Sequence, residues 1–82
     1  RLALLSCNPN PTEGILQIQL DKSVLSLRPS IEVYNSTGQS IMKNDINSEA
    51  ESIDLESFPS GTYFLRVVSS TGTIGLEKIL KY

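Results

Sequence analysis

Serine and cysteine nucleophiles need a base, and this 82-residue sequence has no histidine to serve as one. Asp54 and Glu56 stand two apart, which on a strand would put both carboxylates on one face, as acid–base chemistry requires. A solvated outer face beside a polar link is the simpler reading of that pair. Asp21, Asp45 and Asp54 are scattered and lack the spacing of a calcium loop. Cys7 is the sole cysteine, which excludes an internal disulfide and a two-cysteine zinc site. With no basic neighbour to lower its pKa, it reads as a small apolar strand residue. Asn35-Ser36-Thr37 matches the glycosylation sequon at a turn, where the asparagine also has a local use in ending a strand. Asn10-Pro11-Thr12 fails the same pattern because proline occupies its middle position. The expectation is a non-enzyme with no catalytic residues, no metal and no cofactor.

The charge balance points the same way. Seven basic residues against nine acidic give a net charge of −2, with no electrostatic reason for nucleic-acid or anionic-membrane binding. Leu2-Ala3-Leu4-Leu5 falls far short of the about 20 apolar residues that span a bilayer, so no membrane insertion is expected. With 39% hydrophobic and 20% charged residues the chain has the composition of a folded domain. One domain over residues 1–82 is expected, cut from a longer protein, with 1–7 a first strand or docked linker and 8–82 its core.

The elements are legible from alternation and turn chemistry. Leu55 to Val67 is the organising stretch. Phe58-Pro59-Ser60-Gly61 is a turn, since proline fixes φ and glycine tolerates positive φ. Tyr63, Leu65 and Val67 then alternate with Thr62, Phe64 and Arg66, the period of a strand. A Gly-x-Tyr entry of this kind predicts a tyrosine corner, with the phenol bonded back to upstream backbone. Leu16, Ile18 and Leu20 share one face of another strand, and Ile31 and Val33 that of a third. Ser36-Thr37-Gly38-Gln39 and Ser69-Ser70-Thr71-Gly72 are hairpin turns, and Ser40 to Asn44 is a short edge strand. A polar link leads from there to Ile53 and Leu55. Asp21 to Pro29 fits either a short strand or the underside of a loop. In the last strand Ile74, Leu76 and Leu80 fall on one parity and Ile79 on the other, so either a bulge shifts the register or both faces carry apolar contact. With no sustained helical period and a turn about every 8 to 12 residues, the fold class is all-β. An immunoglobulin-like antiparallel β-sandwich of about seven strands is predicted.

Three blocks, in order and spacing, resemble one family. They are Asn8-Pro9-Asn10-Pro11-Thr12-Glu13-Gly14, then Ile31-Glu32-Val33-Tyr34-Asn35-Ser36-Thr37-Gly38-Gln39, then Leu55 to Val67 completed by Lys78-Ile79-Leu80-Lys81. Together they are similar to the type IX secretion system C-terminal sorting domain of Bacteroidetes (type A, the Por secretion tail family). The chain departs from that pattern at Cys7-Asn8, where the family commonly has an aromatic residue. The resemblance implies a non-catalytic signal on a covalently linked N-terminal cargo domain. Its partners would be components of the type IX translocon and a sortase-like peptidase that cleaves upstream of the domain. Its location would be the periplasm in transit, then the cell surface or the exterior. It also implies that recognition rests on Gly61, Tyr63, Lys78, Ile79 and Lys81. Two lysines in an otherwise acidic domain fit a contact role, and on an edge strand they would also discourage aggregation. The alternative is a carbohydrate-binding or adhesive β-sandwich module, with Tyr34, Phe64 and Tyr82 as its aromatic platform.

Overall fold

A computed structural model describes residues 4–8, 10 and 12–82. Seven strands form two antiparallel sheets, as the alternation predicts. They are β1 (Leu4–Asn8), β2 (Ile15–Leu20), β3 (Ser30–Asn35), β4 (Ser40–Asp45), β5 (Ala50–Asp54), β6 (Gly61–Ser69) and β7 (Gly72–Lys81). One sheet has the order β1-β2-β5 and the other β4-β3-β6-β7. The opening expectations at Leu2, Ala3, Pro9 and Pro11 lie outside the described residues.

Alternation sets the core. β2 reads exposed–buried throughout, with Leu16, Ile18 and Leu20 against the opposite sheet and Ile15, Gln17 and Gln19 in solvent. Ile31 and Val33 from β3, and Tyr63, Leu65 and Val67 from β6, meet them from the other side, joined by Ile53, Leu55 and Ile79. Each buried aliphatic side chain contributes about 1.5–3 kcal/mol relative to exposure, so the inward rows of these strands hold the sheets face to face.

Three segments go beyond the sequence pattern. Asp21 to Pro29 holds neither a strand nor a plain loop but a 3-10 helix, Lys22–Leu27. The Asp21 carboxylate accepts from the Ser23 backbone N–H at 3.0 Å and so caps its start. Arg28, in the left-handed region at φ 54°, ends it. Val24 is buried, while Leu25 and Leu27 pack partly against the core. The acidic link after β4 also has an anchor, since Ile46 is buried and its N–H donates to the Pro29 carbonyl at 3.0 Å. In β7 the register slips opposite Val67 and Val68, which pair with Gly75 and Thr73 and leave Ile74 as an extra residue. That bulge resolves the mixed parity: Ile74 packs partly against the core, and beyond it Ile79 faces inward while Leu76 and Leu80 face solvent.

The β3–β4 hairpin is closed by Asn35. Its side-chain oxygen accepts from the backbone N–H groups of Thr37 at 3.1 Å and Gln39 at 3.0 Å, and from the Thr37 hydroxyl at 2.7 Å. The sequon asparagine therefore has a structural task at the strand end.

Candidate functional site: the corner and the last strand

The corner forms as the Gly-x-Tyr pattern requires. Tyr63 is buried and its hydroxyl donates to the carbonyl of Pro59. Gly61 has φ 152°, a conformation in which side chains are strained even though the space beside it is open. Asp54 closes β5, its carboxylate accepting from the Glu56 backbone N–H at 2.9 Å. With Glu56 already in the turn beyond the strand, the two carboxylates are not a paired catalytic set.

β6 and β7 bring the five predicted recognition residues to one end of the sandwich. Gly61 lies opposite Lys81, Tyr63 opposite Ile79, and Phe64 opposite Lys78. Their environments differ. Ile79 is fully buried among core residues, Lys78 is exposed on the outer face, and Lys81 is half-buried with its Nζ 3.5 Å from the Tyr82 carbonyl. Ile79 can therefore act only through packing, and the two lysines project from opposite sides of the strand.

β7 is the edge of its sheet, yet the end of that edge is covered. Asn10 donates from Nδ2 to the Lys78 carbonyl at 2.8 Å and accepts the Leu80 N–H on Oδ1 at 3.1 Å. Thr12 continues the ladder, with its N–H bonded to the Leu80 carbonyl at 2.8 Å and its carbonyl to the Tyr82 N–H at 2.9 Å. Thr12 is itself fully buried. Its hydroxyl donates to the Ile15 carbonyl and accepts from the Gly14 N–H, each at 3.0 Å, so no polar atom of this side chain is left unsatisfied. The sequence reading missed this strap, because nothing local to Asn10 or Thr12 points to a strand about seventy residues away. Strand addition along Leu80 to Tyr82 is blocked while the strap is in place.

The outer face of the four-stranded sheet carries an ion pair. Arg66 donates from Nη2 to Glu32 Oε1 at 2.8 Å and to the Tyr34 hydroxyl at 2.7 Å, and its guanidinium lies 5.3 Å from the Tyr34 ring centroid. The hydrogen bond from Arg66, with a second from Tyr34, holds the Glu32 carboxyl below the ordinary carboxylate range. Desolvation, with the bond to Glu32, pushes the Tyr34 phenol up. Because Arg66 covers Tyr34, that ring is not a free platform for a sugar. On the facing sheet, burial and the nearby Glu77 charge raise the Cys7 thiol to about 11, which suits an unreactive strand residue. No group of three or more potential metal ligands occurs among the described residues.

Two sheets of three and four strands, a buried tyrosine corner and a shared hydrophobic core define an immunoglobulin-like β-sandwich. The profile of the secretion system C-terminal sorting domain matches residues 6–81, so the chain belongs to the family of type IX secretion sorting domains. The fold is similar to a solved DUF3244 family protein with an immunoglobulin-like β-sandwich fold from Bacteroides vulgatus. That likeness has a TM-score of 0.66 and 19% identity, covering 85% of this chain and 77% of the other. It is also similar to CopC from Methylosinus trichosporium, with a TM-score of 0.56 and 18% identity, covering 96% of this chain and 89% of that one. No curated protein matches.

Proposed function

We propose that this domain is the signal by which a covalently linked N-terminal cargo passes from the periplasm through the type IX translocon to the cell surface. A sortase-like peptidase then removes the domain upstream of the sandwich. The domain performs no chemistry of its own; it presents a folded surface. The observation that carries this reading is the match to the sorting-domain family over residues 6–81, nearly the whole sandwich.

Within it, the five residues divide by task. Gly61 and Tyr63 set the corner from which β6 leaves, and Ile79 anchors β7 to the core. Lys78 and Lys81 supply positive charge on either side of the strand, where it steers the encounter with an acidic partner and adds salt sensitivity.

The test is a fusion of the 82-residue chain to the C-terminus of a periplasmic reporter, expressed in a host with a type IX system. Surface-exposed reporter, absent without the domain, is the expected result. Reporter that stays in the periplasm with a folded domain attached overturns the proposal.

A further inference from the structure

Cross-strand partners share a face, and the registers of β4, β3, β6 and β7 therefore lay out the outer surface of the large sheet. One row runs Lys43–Glu32–Arg66–Leu76. The next runs Tyr34–Phe64–Lys78, and a third pairs Thr62 with Leu80. Leu76 is 65% exposed, Leu80 44% and Phe64 36%. Three apolar side chains thus stand in solvent around one lysine, on a face that alternation elsewhere keeps polar.

Charge marks the same face. It carries Lys43, Arg66 and Lys78 against two acids: Glu32, which is bound to Arg66, and Asp45, which pairs with Ser30 at the far end of the face from Lys78. The chain as a whole has more acids than bases. Glu49, Glu51, Asp54 and Glu56 lie on or beside the smaller sheet, and with Asp45 at the far end the cationic part of the outer face is the end around Lys78 and Arg66. Tyr34, Phe64 and Arg66 are residue types enriched in protein-binding surfaces, and Leu76 and Leu80 add exposed apolar area beside them.

The strap decides how β7 can be read. Asn10 and Thr12 occupy the outward backbone groups of Leu80 and Tyr82 and the carbonyl of Lys78. A partner that engages the end of the folded strand must therefore take hold of side chains.

We propose that the face formed by Phe64, Leu76 and Leu80, with Lys78 and Arg66 among them, docks a protein of the export machinery whose own surface has an apolar centre rimmed by carboxylates. This deepens the export reading and rests on it. The apolar trio supplies the affinity and the cations set orientation against the acidic rim. Lys81, on the other side of the strand, adds long-range steering and makes no direct contact.

The experiment compares reporter fusions of the 82-residue chain in a type IX host, scored by protease-accessible reporter at the surface and by melting of each purified fusion. Leu76→Glu and Leu80→Glu together should leave the melting transition of the domain in place and cut surface display at least about tenfold, the scale of losing a hot spot. Leu76→Ser with Leu80→Ser should give a smaller loss. Ile15→Glu, on the outer face of the smaller sheet, should leave display unchanged. Undiminished display of the folded glutamate variant, while the unaltered fusion is exported, overturns the docking face and leaves the export reading standing. Failure of the unaltered fusion overturns both. Variants that cross the outer membrane normally but detach from the cell assign the face to an anionic surface glycolipid and overturn the proposal. A purified domain that sediments as a dimer, dispersed by Leu76→Glu, assigns the face to a second copy and does the same.

Discussion

Asn10 stands seventy residues from Leu80 and binds β7 as a neighbouring strand would, accepting the Leu80 N–H at 3.1 Å while donating to the Lys78 carbonyl at 2.8 Å. A side-chain amide offers a donor and an acceptor together, so a single asparagine satisfies two outward groups of an edge strand. The start of the domain is thereby tied to its last strand, and the exposed end of the large sheet is closed against unwanted pairing.

Asn10→Ala should free that edge. The expected loss of stability is about 1 kcal/mol, the net value of exposed neutral hydrogen bonds. Hydrogen exchange at the Leu80 amide should accelerate, while the Leu65 amide in the core stays protected. An unchanged exchange rate at Leu80 would contradict the strap.

The corner makes a two-part prediction. Tyr63→Phe removes the bond to Pro59 and should cost about 0.5–1.5 kcal/mol. A Cβ at Gly61 has open space around it, so the cost expected for Gly61→Val, about 1–3 kcal/mol, is that of the strained backbone. Chemical denaturation of both variants measures this, and midpoints equal to that of the unaltered domain would reject the corner.

Acid should act through Glu32. Its folded-state pKa lies below the ordinary 4.5, so its contribution is present above that value and is lost as pH falls through the folded one. Glu32→Gln should therefore show a smaller drop in stability on acidification below pH 4.5 than the unaltered domain. Equal acid sensitivity would remove the Arg66 bond as the cause.

Alkali should act through Cys7. Its pKa is raised from 9.0 to about 11, so the neutral thiol's contribution is intact below 9.0 and is lost as pH rises through about 11. Cys7→Ser should flatten that alkaline decline, though not the part due to Tyr34, whose pKa is also raised. Ultraviolet titration of the folded thiol should show no midpoint near 9.0.

Much of this architecture is written in alternation. β2, β3 and β6 bury every second residue against water, and each inward residue expected there is in the core. The hairpins at Gly38 and Gly72 and the corner at Gly61 follow from positive-φ chemistry. What escaped the pattern has specific causes. The Lys22–Leu27 helix is a single short 3-10 run, too brief to establish a period, and only the capping pair Asp21 and Ser23 marks it. Ile46 sits alone in an acidic link, where no alternation frames it. The Ile74 bulge switches parity in mid-strand, which a periodic reading can suspect but not place. The strap is a contact between residues about seventy apart, and neither Asn10 nor Thr12 carries a local sign of its distant partner. Among the predicted recognition residues, local pattern could not separate Ile79 in the core from Lys78 in solvent until the bulge fixed the register.

The central claim is that the export machinery reads a charged surface of the folded domain at β7. The most direct measurement is the surface-exposed fraction of a reporter fused to this chain in a type IX host, with and without Lys78→Glu and Lys81→Glu together. The account predicts that the double variant melts as a folded domain while its reporter remains in the periplasm. Full surface display of that folded variant would contradict it.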